Sequence, residues 1–360
     1  MGHCAQCQAF SLSLHGVAPP ARFLLRNREP SRQPPAAWSL DPSCYQQRLL
    51  TDIRYGYDPA PVRPVAPQRR RNGPSCWNEW DQMVDYMAKL DAIGCMDPGV
   101  WSLPNDAVLS AMHCVVRASD LRAFERDPST PYPVRTVTDL SATGVNECFA
   151  RWPFRMGGIE AAVPLATDAP HLTTCTADFS KFCPPLGIGP NLSRVCWVRD
   201  PRASTTWRGT GPPSASWRRF QRARRRSKRR IPPFRRWNGL LLGFTLAPAF
   251  ASAVSGEVAL ALTAMGIRCS FFVDDYIMMA DSTAQCRRLL TIAIKTFEYL
   301  GLRCSPAKTK IAKALCYLGT YLDPINRCIT VTCDRRHALR SDLLRLRASP
   351  SFGTKDLESL

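Results

Sequence analysis

The chain has 360 residues, 45% of them hydrophobic, and 48 lysines and arginines against 29 acidic residues give it a formal charge of +19. Such an apolar content supports a sizeable core and excludes a wholly disordered protein, while the positive excess favours a polyanionic partner over a small neutral ligand. The sixteen cysteines lie in apolar runs such as "RCSFFV" and "ALCYLG", and no secretory pattern opens the chain, so they read as core residues of an intracellular protein, in cytoplasm or nucleus.

Taken in chain order, residues 1–75 are expected to be a poorly ordered extension ending in a linker rich in Pro and Arg, "DPAPVRPVAPQRRRNGP". His3, Cys4 and Cys7 have metal-like spacing but lack a second pair, and Gln6 stands where a myristoylation signal needs Ser or Thr. From Trp77 onward, Trp80, Met83, Val84, Met87, Leu90 and Ile93 recur at three- and four-residue steps, predicting a helix that ends at Gly94. A mixed region follows, then a strand in "VRTVTDL", a loop containing Asn146, a helix over 157–166 and a short strand "TTCTADF" that reaches Asp178.

No acidic residue occurs between Asp200 and Glu257, and Trp217–Trp237 holds eleven Arg or Lys among twenty-one residues, interleaved with Trp217, Phe220, Phe234 and Trp237. Arginine forks suit phosphate and aromatic faces stack on unpaired bases. This composition predicts nucleic-acid contact through Arg224, Arg225, Arg226, Lys228, Arg229 and Arg230; a solvated basic loop or a nuclear localisation signal has the same composition. Residues 240–267 are long and apolar enough to suggest a membrane anchor, but Glu257, Gly243 and Pro248 interrupt them, and a small-residue helix packed under a sheet is expected, with no membrane.

Next, "FFVDDYIMMA" reads as strand, tight turn, strand, with Asp274 and Asp275 at the tip. Two unit charges ~4 Å apart repel by about 4 kcal/mol at an effective dielectric near 20, so a positive partner is expected beside them. A helix over 283–300, then strands in "ALCYLGTYLD" and "CITVTC", complete an α+β pattern of sheet backed by helices.

The order "VRTVTDLSATGVNE", "ADFSKF", "LGFTLAPAF", "FVDDY", "GLRCSPAKTK", "YLGTYLD" resembles the reverse transcriptase (RNA-dependent DNA polymerase) domain of retrotransposons over roughly residues 77–345. The resemblance implies a right-hand polymerase: fingers and entry to the palm over 76–177, an antiparallel palm sheet over 178–333 with a basic insertion at about 194–237, and the start of an incomplete thumb over 334–360. It implies that Asp178 and Asp274, with Asp275 beside them, hold two Mg²⁺ ions, replaceable by Mn²⁺, for nucleotidyl transfer. Arg117 and Arg135 then match fingers residues that grip the incoming triphosphate, and Cys183 takes the usually aromatic position that gates against a ribose 2′-hydroxyl. Gly243 lets nucleotide and template approach the backbone, Lys308 matches the lysine near the pyrophosphate, and Leu318 and Gly319 match the segment that grips the primer. The implied partners are dNTPs and a primed RNA or DNA template, with ribonuclease H or integration domains supplied elsewhere. The alternative reading is an inactive, truncated remnant that binds nucleic acid.

Overall fold

A computed structural model describes residues 42–116, 121, 124–125, 134–149, 159–167, 173–179, 183, 185–228, 230–306, 309–326 and 328–348. The expected metal-like group at His3, Cys4 and Cys7, and the candidates Arg117, Arg229 and Lys308, lie outside the described residues. The extension is ordered earlier than its composition suggests. Helix α1 (Pro42–Tyr55) buries Leu49 and Asp52, and the Pro/Arg-rich stretch after it, largely exposed, is anchored to the fold at a few buried residues such as Asp58 and Asn72. Tyr57 stacks on Phe250 with ring centroids 4.4 Å apart, Asp58 Oδ1 accepts from Leu192 N at 3.0 Å, and Asn72 Nδ2 donates to the Arg199 carbonyl at 2.8 Å. A few anchoring side chains thus order a segment whose average composition reads as linker. The one-turn α2 (Ser75–Asn78) leads into α3 (Trp80–Ala92), which buries Trp80, Met83, Met87 and Leu90 on the predicted face.

The first sheet begins in the region the sequence left unassigned. Strand β1 (Leu109–Val116) pairs antiparallel with β2 (Val134–Asp139), from Ala111 opposite Asp139 to Val116 opposite Val134. Helix α4 (Ile159–Thr167) and strand β3 (Thr173–Asp178) then pass to the second sheet. The chain returns through α5 (Pro190–Arg194), β4 (Trp197–Arg199), α6 (Ala215–Arg226) and β5 (Phe234–Arg236), giving the order β2-β1-β4-β5. Residues 194–237 are thus built into the first sheet. Leu109 and Ser110 pair with Trp197 and Val198 in parallel, and Trp197–Arg199 pair with Phe234–Arg236 in antiparallel fashion.

The acidic partners of this segment come mostly from outside it. Fully buried Asp200 receives Arg202 at 2.8 Å and Arg235 at 3.4 Å, while Asp91 on α3 pairs with both arginines and Asp97 with Arg236. Charges this deep are tolerated only when paired and hydrogen-bonded.

The nearly uncharged block forms α7 (Ala247–Ala264), with Pro248 in its first turn, where a missing N–H costs nothing. It is long and apolar enough to cross a membrane, but half of it is buried, with Phe250, Ala251, Val254, Val258 and Leu262 in the core. It packs on β6 (Arg268–Phe272), which turns into β7 (Asp275–Ala280). Helix α8 (Thr283–Tyr299) covers β3 and β7, and β8 (Lys310–Ala312) completes an antiparallel sheet of order β6-β7-β3-β8. The hairpin β9 (Leu315–Tyr317) and β10 (Thr320–Asp323), with β11 (Cys328–Val331), forms a third small sheet, followed by helix α9 (Cys333–Ala348). Strand β7 is buried on both faces: Tyr276, Met278 and Ala280 join the main core, whereas Ile277 and Met279 join Ala162, Leu315, Tyr317 and Leu322 on the other side. That is the period-two alternation of a central strand.

Candidate active site

The site is built where β3 ends and the β6–β7 turn begins. In the register of β3 with β7, Asp178 stands directly opposite Asp275, and Phe272 opposite Asp275 closes a two-residue turn of Val273 and Asp274. Directly opposed residues share a face of a sheet, so Asp178 and Asp275 lie on the face of Ile277 and Met279. All three carboxylates are half-buried. The hairpin read from the sequence is present, with one refinement: Asp274 occupies the turn itself and Asp275 opens the strand.

Three neighbours, Ser255, Tyr276 and Tyr317, hold this turn. Val273 has φ +53°, a conformation that a β-branched residue adopts only when its surroundings impose it. Its carbonyl accepts the hydroxyl of Ser255, a fully buried residue of α7, and the Ser255 carbonyl accepts the Tyr276 hydroxyl at 3.0 Å. Ser255 thus ties both sides of the Asp274–Asp275 pair to one helix. From the other side, Tyr317 on β9 donates its hydroxyl to the Asp275 carbonyl at 3.2 Å. Burial first, and the Asp275 charge second, hold that phenol well above its usual range.

Two thiols flank the carboxylates. Cys183 is pushed up to about 12 by burial and then by the Asp274 charge. Cys304, bridged through its backbone to Phe179, is pushed up to about 12 by burial, with Glu298 and Asp178 adding to it. Both are therefore neutral near pH 7. The carboxylate set suits a hard divalent cation, which prefers oxygen donors. Among the described residues, no group of three or more His, Cys, Asp or Glu is drawn together closely enough to be a ligand cluster. The fold brings the three aspartates to one end of the sheet, where register sets Asp178 opposite Asp275 and Asp274 lies in the adjoining turn.

The remaining candidates divide. Gly243 has φ +108°, and a Cβ there would meet the Thr138 carbonyl oxygen at 2.3 Å. What comes close to this glycine is the protein's own β2, a closer constraint than the nucleotide approach expected from sequence. Asn146 fixes the same loop, donating to the Gly243 carbonyl at 2.9 Å and accepting from Thr245 N at 2.9 Å. An open cleft of about 450 Å³ lies beside it, lined by Ser75, His113, Thr138, Asp139, Ser141 and Gly243 among others. Arg135 is exposed on β2 of the same hairpin. Leu318 and Gly319, both at positive φ, form the β9–β10 turn, and Arg335 of α9 donates to the Leu318 carbonyl at 2.9 Å.

The basic stretch is corrected in two respects. Its aromatic residues do not face outward for base stacking: Phe220 packs edge-on against Trp80 at 5.3 Å, Trp217 against Trp207 at 5.5 Å, and Trp237 is buried. Phe234 lies under the Arg199 guanidinium at 4.9 Å. Arg224 is not a free phosphate ligand either, because it donates to the carbonyls of Arg202, Ala203 and Ser204. Arg225, Arg226, Lys228 and Arg230 are exposed.

Residues 203–322 match the family model described as "Reverse transcriptase (RNA-dependent DNA polymerase)". No curated protein matches the chain. Among solved structures, it is similar to the foamy viral protease-reverse transcriptase dRH in complex with double-stranded DNA, with a TM-score of 0.53 and 14% identity, over 84% of this chain and 43% of that one. It is also similar to the foamy viral protease-reverse transcriptase in complex with RNA/DNA hybrid, with a TM-score of 0.53 and 14% identity, over 89% of this chain and 37% of that one. This chain therefore spans less than half the length of either. The family match includes Asp274, Asp275, Gly243 and the β9–β10 turn but begins after Asp178, whose place in the site rests on strand register. A third of the chain, residues 203–322, thus matches the reverse transcriptase model, on an α+β fold similar to that of the foamy viral protease-reverse transcriptase.

Proposed function

We propose that this chain is the polymerase part of a reverse transcriptase of retroelement type, extending a primer 3′ end with dNTPs on an RNA or DNA template. The observation that carries this reading is the register that sets Asp178 opposite Asp275 with Asp274 in the adjoining turn. Asp178 and Asp274 are the residues that would hold two Mg²⁺ ions, which when bound activate the primer hydroxyl and neutralise charge on the leaving pyrophosphate. The chain's own contribution is placement. Ser255 and Tyr317 fix the backbone on either side of the aspartates. The neutral Cys183 thiol beside Asp274 leaves less bulk against a ribose 2′-hydroxyl than an aromatic ring would, so sugar discrimination is expected to be weak. Exposed Arg135 offers a cation to the triphosphate.

The test is primer extension by the purified chain on an RNA template with a DNA primer in Mg²⁺ and in Mn²⁺, beside the Asp274→Ala, Asp275→Ala double variant. Extension by the parent, with a loss of at least ~100-fold in the variant while duplex binding persists, is expected for a site that works by stabilising charge in the transition state. Equal extension by both proteins would remove these aspartates from the chemistry. Binding without extension by either would favour the remnant.

A further inference from the structure

Helix α6 separates its residues by type. It starts at Ser214, whose hydroxyl accepts from Trp217 N, and it runs to Arg226. At 3.6 residues per turn, Trp217, Phe220, Gln221 and Arg224 fall within an arc of about 100°. These are the residues that touch protein: Trp217 and Phe220 reach the core, Gln221 is buried and donates to the Ser204 carbonyl, and Arg224 closes the turn at 202–204. Arg218, Arg219, Arg222, Arg225 and Arg226 fall within an opposite arc of about 120°, and all five are exposed. Arg218 also donates to the Pro213 carbonyl.

Among the described residues, no carboxylate forms an ion pair with any of the five arginines, and the segment between Asp200 and Glu257 has no acid of its own. Of the exposed acids on α3, the helix packed against α6, Asp85 is paired with Lys89 and Asp91 with Arg202 and Arg235, which leaves Asp81 at the start of that helix. Five like charges on two turns are a cost that a folded chain keeps where an anion relieves it.

We infer that the outward face of α6 is a binding surface for the phosphate backbone of nucleic acid, distinct from the aspartate site and indifferent to base sequence. The arginines span ~12 Å of helix, a length over which one strand of a duplex presents about three to four phosphates at ~3.4 Å axial spacing. The inward turn of every aromatic residue removes base stacking, leaving charge and the guanidinium fork. It also removes a lipid surface, because a helix that lies on a membrane needs its apolar face for the acyl boundary and α6 has committed that face to the core.

The experiment measures binding of the full chain to a short RNA/DNA hybrid by fluorescence anisotropy at several salt concentrations. The parent is compared with a variant carrying glutamine at 218, 219, 222, 225 and 226, since glutamine keeps the helix. The logarithmic salt slope is expected to fall by about 3, roughly one for each phosphate the variant no longer neutralises, with affinity at least tenfold weaker at ~0.1 M salt and an unchanged melting temperature. If the fivefold variant melts early, Arg222→Gln with Arg226→Gln, and a slope change of about 1–2, serves the same purpose. A slope within ~1 of the parent's in a folded fivefold variant overturns the inference. So does tighter binding of the parent to phosphatidylserine vesicles than to the hybrid. The Asp274→Ala, Asp275→Ala protein retains this face and should keep the parent slope, so failure of the polymerase reading and failure of this one are told apart.

Discussion

Gly243 shows how one residue type can carry two readings. Its motif position suggests close approach of a ligand, yet φ +108° and a Cβ that would sit 2.3 Å from the Thr138 carbonyl oxygen show that the protein's own fold demands glycine. Gly243→Ala should cost about 1–3 kcal/mol for the backbone conformation alone, with the displacement of β2 added, measured by denaturant unfolding. A cost below ~0.5 kcal/mol would show that the loop relaxes freely. Ser255 and Tyr317 make the converse point. Ser255 lies outside every quoted motif and Tyr317 only opens "YLGTYLD"; the roles of both are hidden from sequence because their partners, Val273 and Asp275, are reached only through tertiary packing.

Among the elements, the basic segment departs most from its sequence reading. Composition reads 217–237 as a solvated basic loop, whereas β4 and β5 are half of the first sheet and α6 is seated on α3. Pairing decides this: Asp200, Arg202 and Arg235 join Asp91, which lies more than one hundred positions earlier. Removing one member leaves the others charged and buried, so Asp200→Ala is expected to cost about 3–5 kcal/mol, seen as a lower denaturant midpoint. Stability equal to the parent's would mean that water enters and solvates Arg235. The helices α3 and α8 were legible because their apolar spacing is strong and local, and α7 because it is a long run of apolar residues. Strand β1 was not, since LSAMHCVV is nearly apolar throughout and carries no alternation to read.

At the scale of the whole molecule, stability should depend on pH through Asp52. Burial raises its carboxyl to about 6, with Arg48 pulling the other way. The native state then binds the proton more tightly than the unfolded chain, whose carboxyl titrates near 3.8. The contribution is fully present below about pH 4 and is lost as pH rises through about 6, to a ceiling of ~3 kcal/mol. Asp52→Asn should gain on the parent by that amount between these limits, in unfolding midpoints measured at pH 4 and pH 7. A difference that stays flat would show that the Asp52–Arg48 pair is ionised throughout.

The sequence by itself determined what is local or additive. The net charge, the spacing of core positions on the amphipathic helices, the presence of a hairpin at the aspartate pair and the order of motifs all follow from neighbours along the chain. The tertiary structure alone decided which carboxylates meet, because Asp178 and Asp275 are joined by strand register rather than by sequence distance. It also decided which charges are consumed: Arg224 caps a turn and Arg235 is buried with Asp200, while Arg222 and Arg226 face solvent. Composition counts these four arginines alike. Desolvation and pairing, which depend on what lies across the fold, separate them.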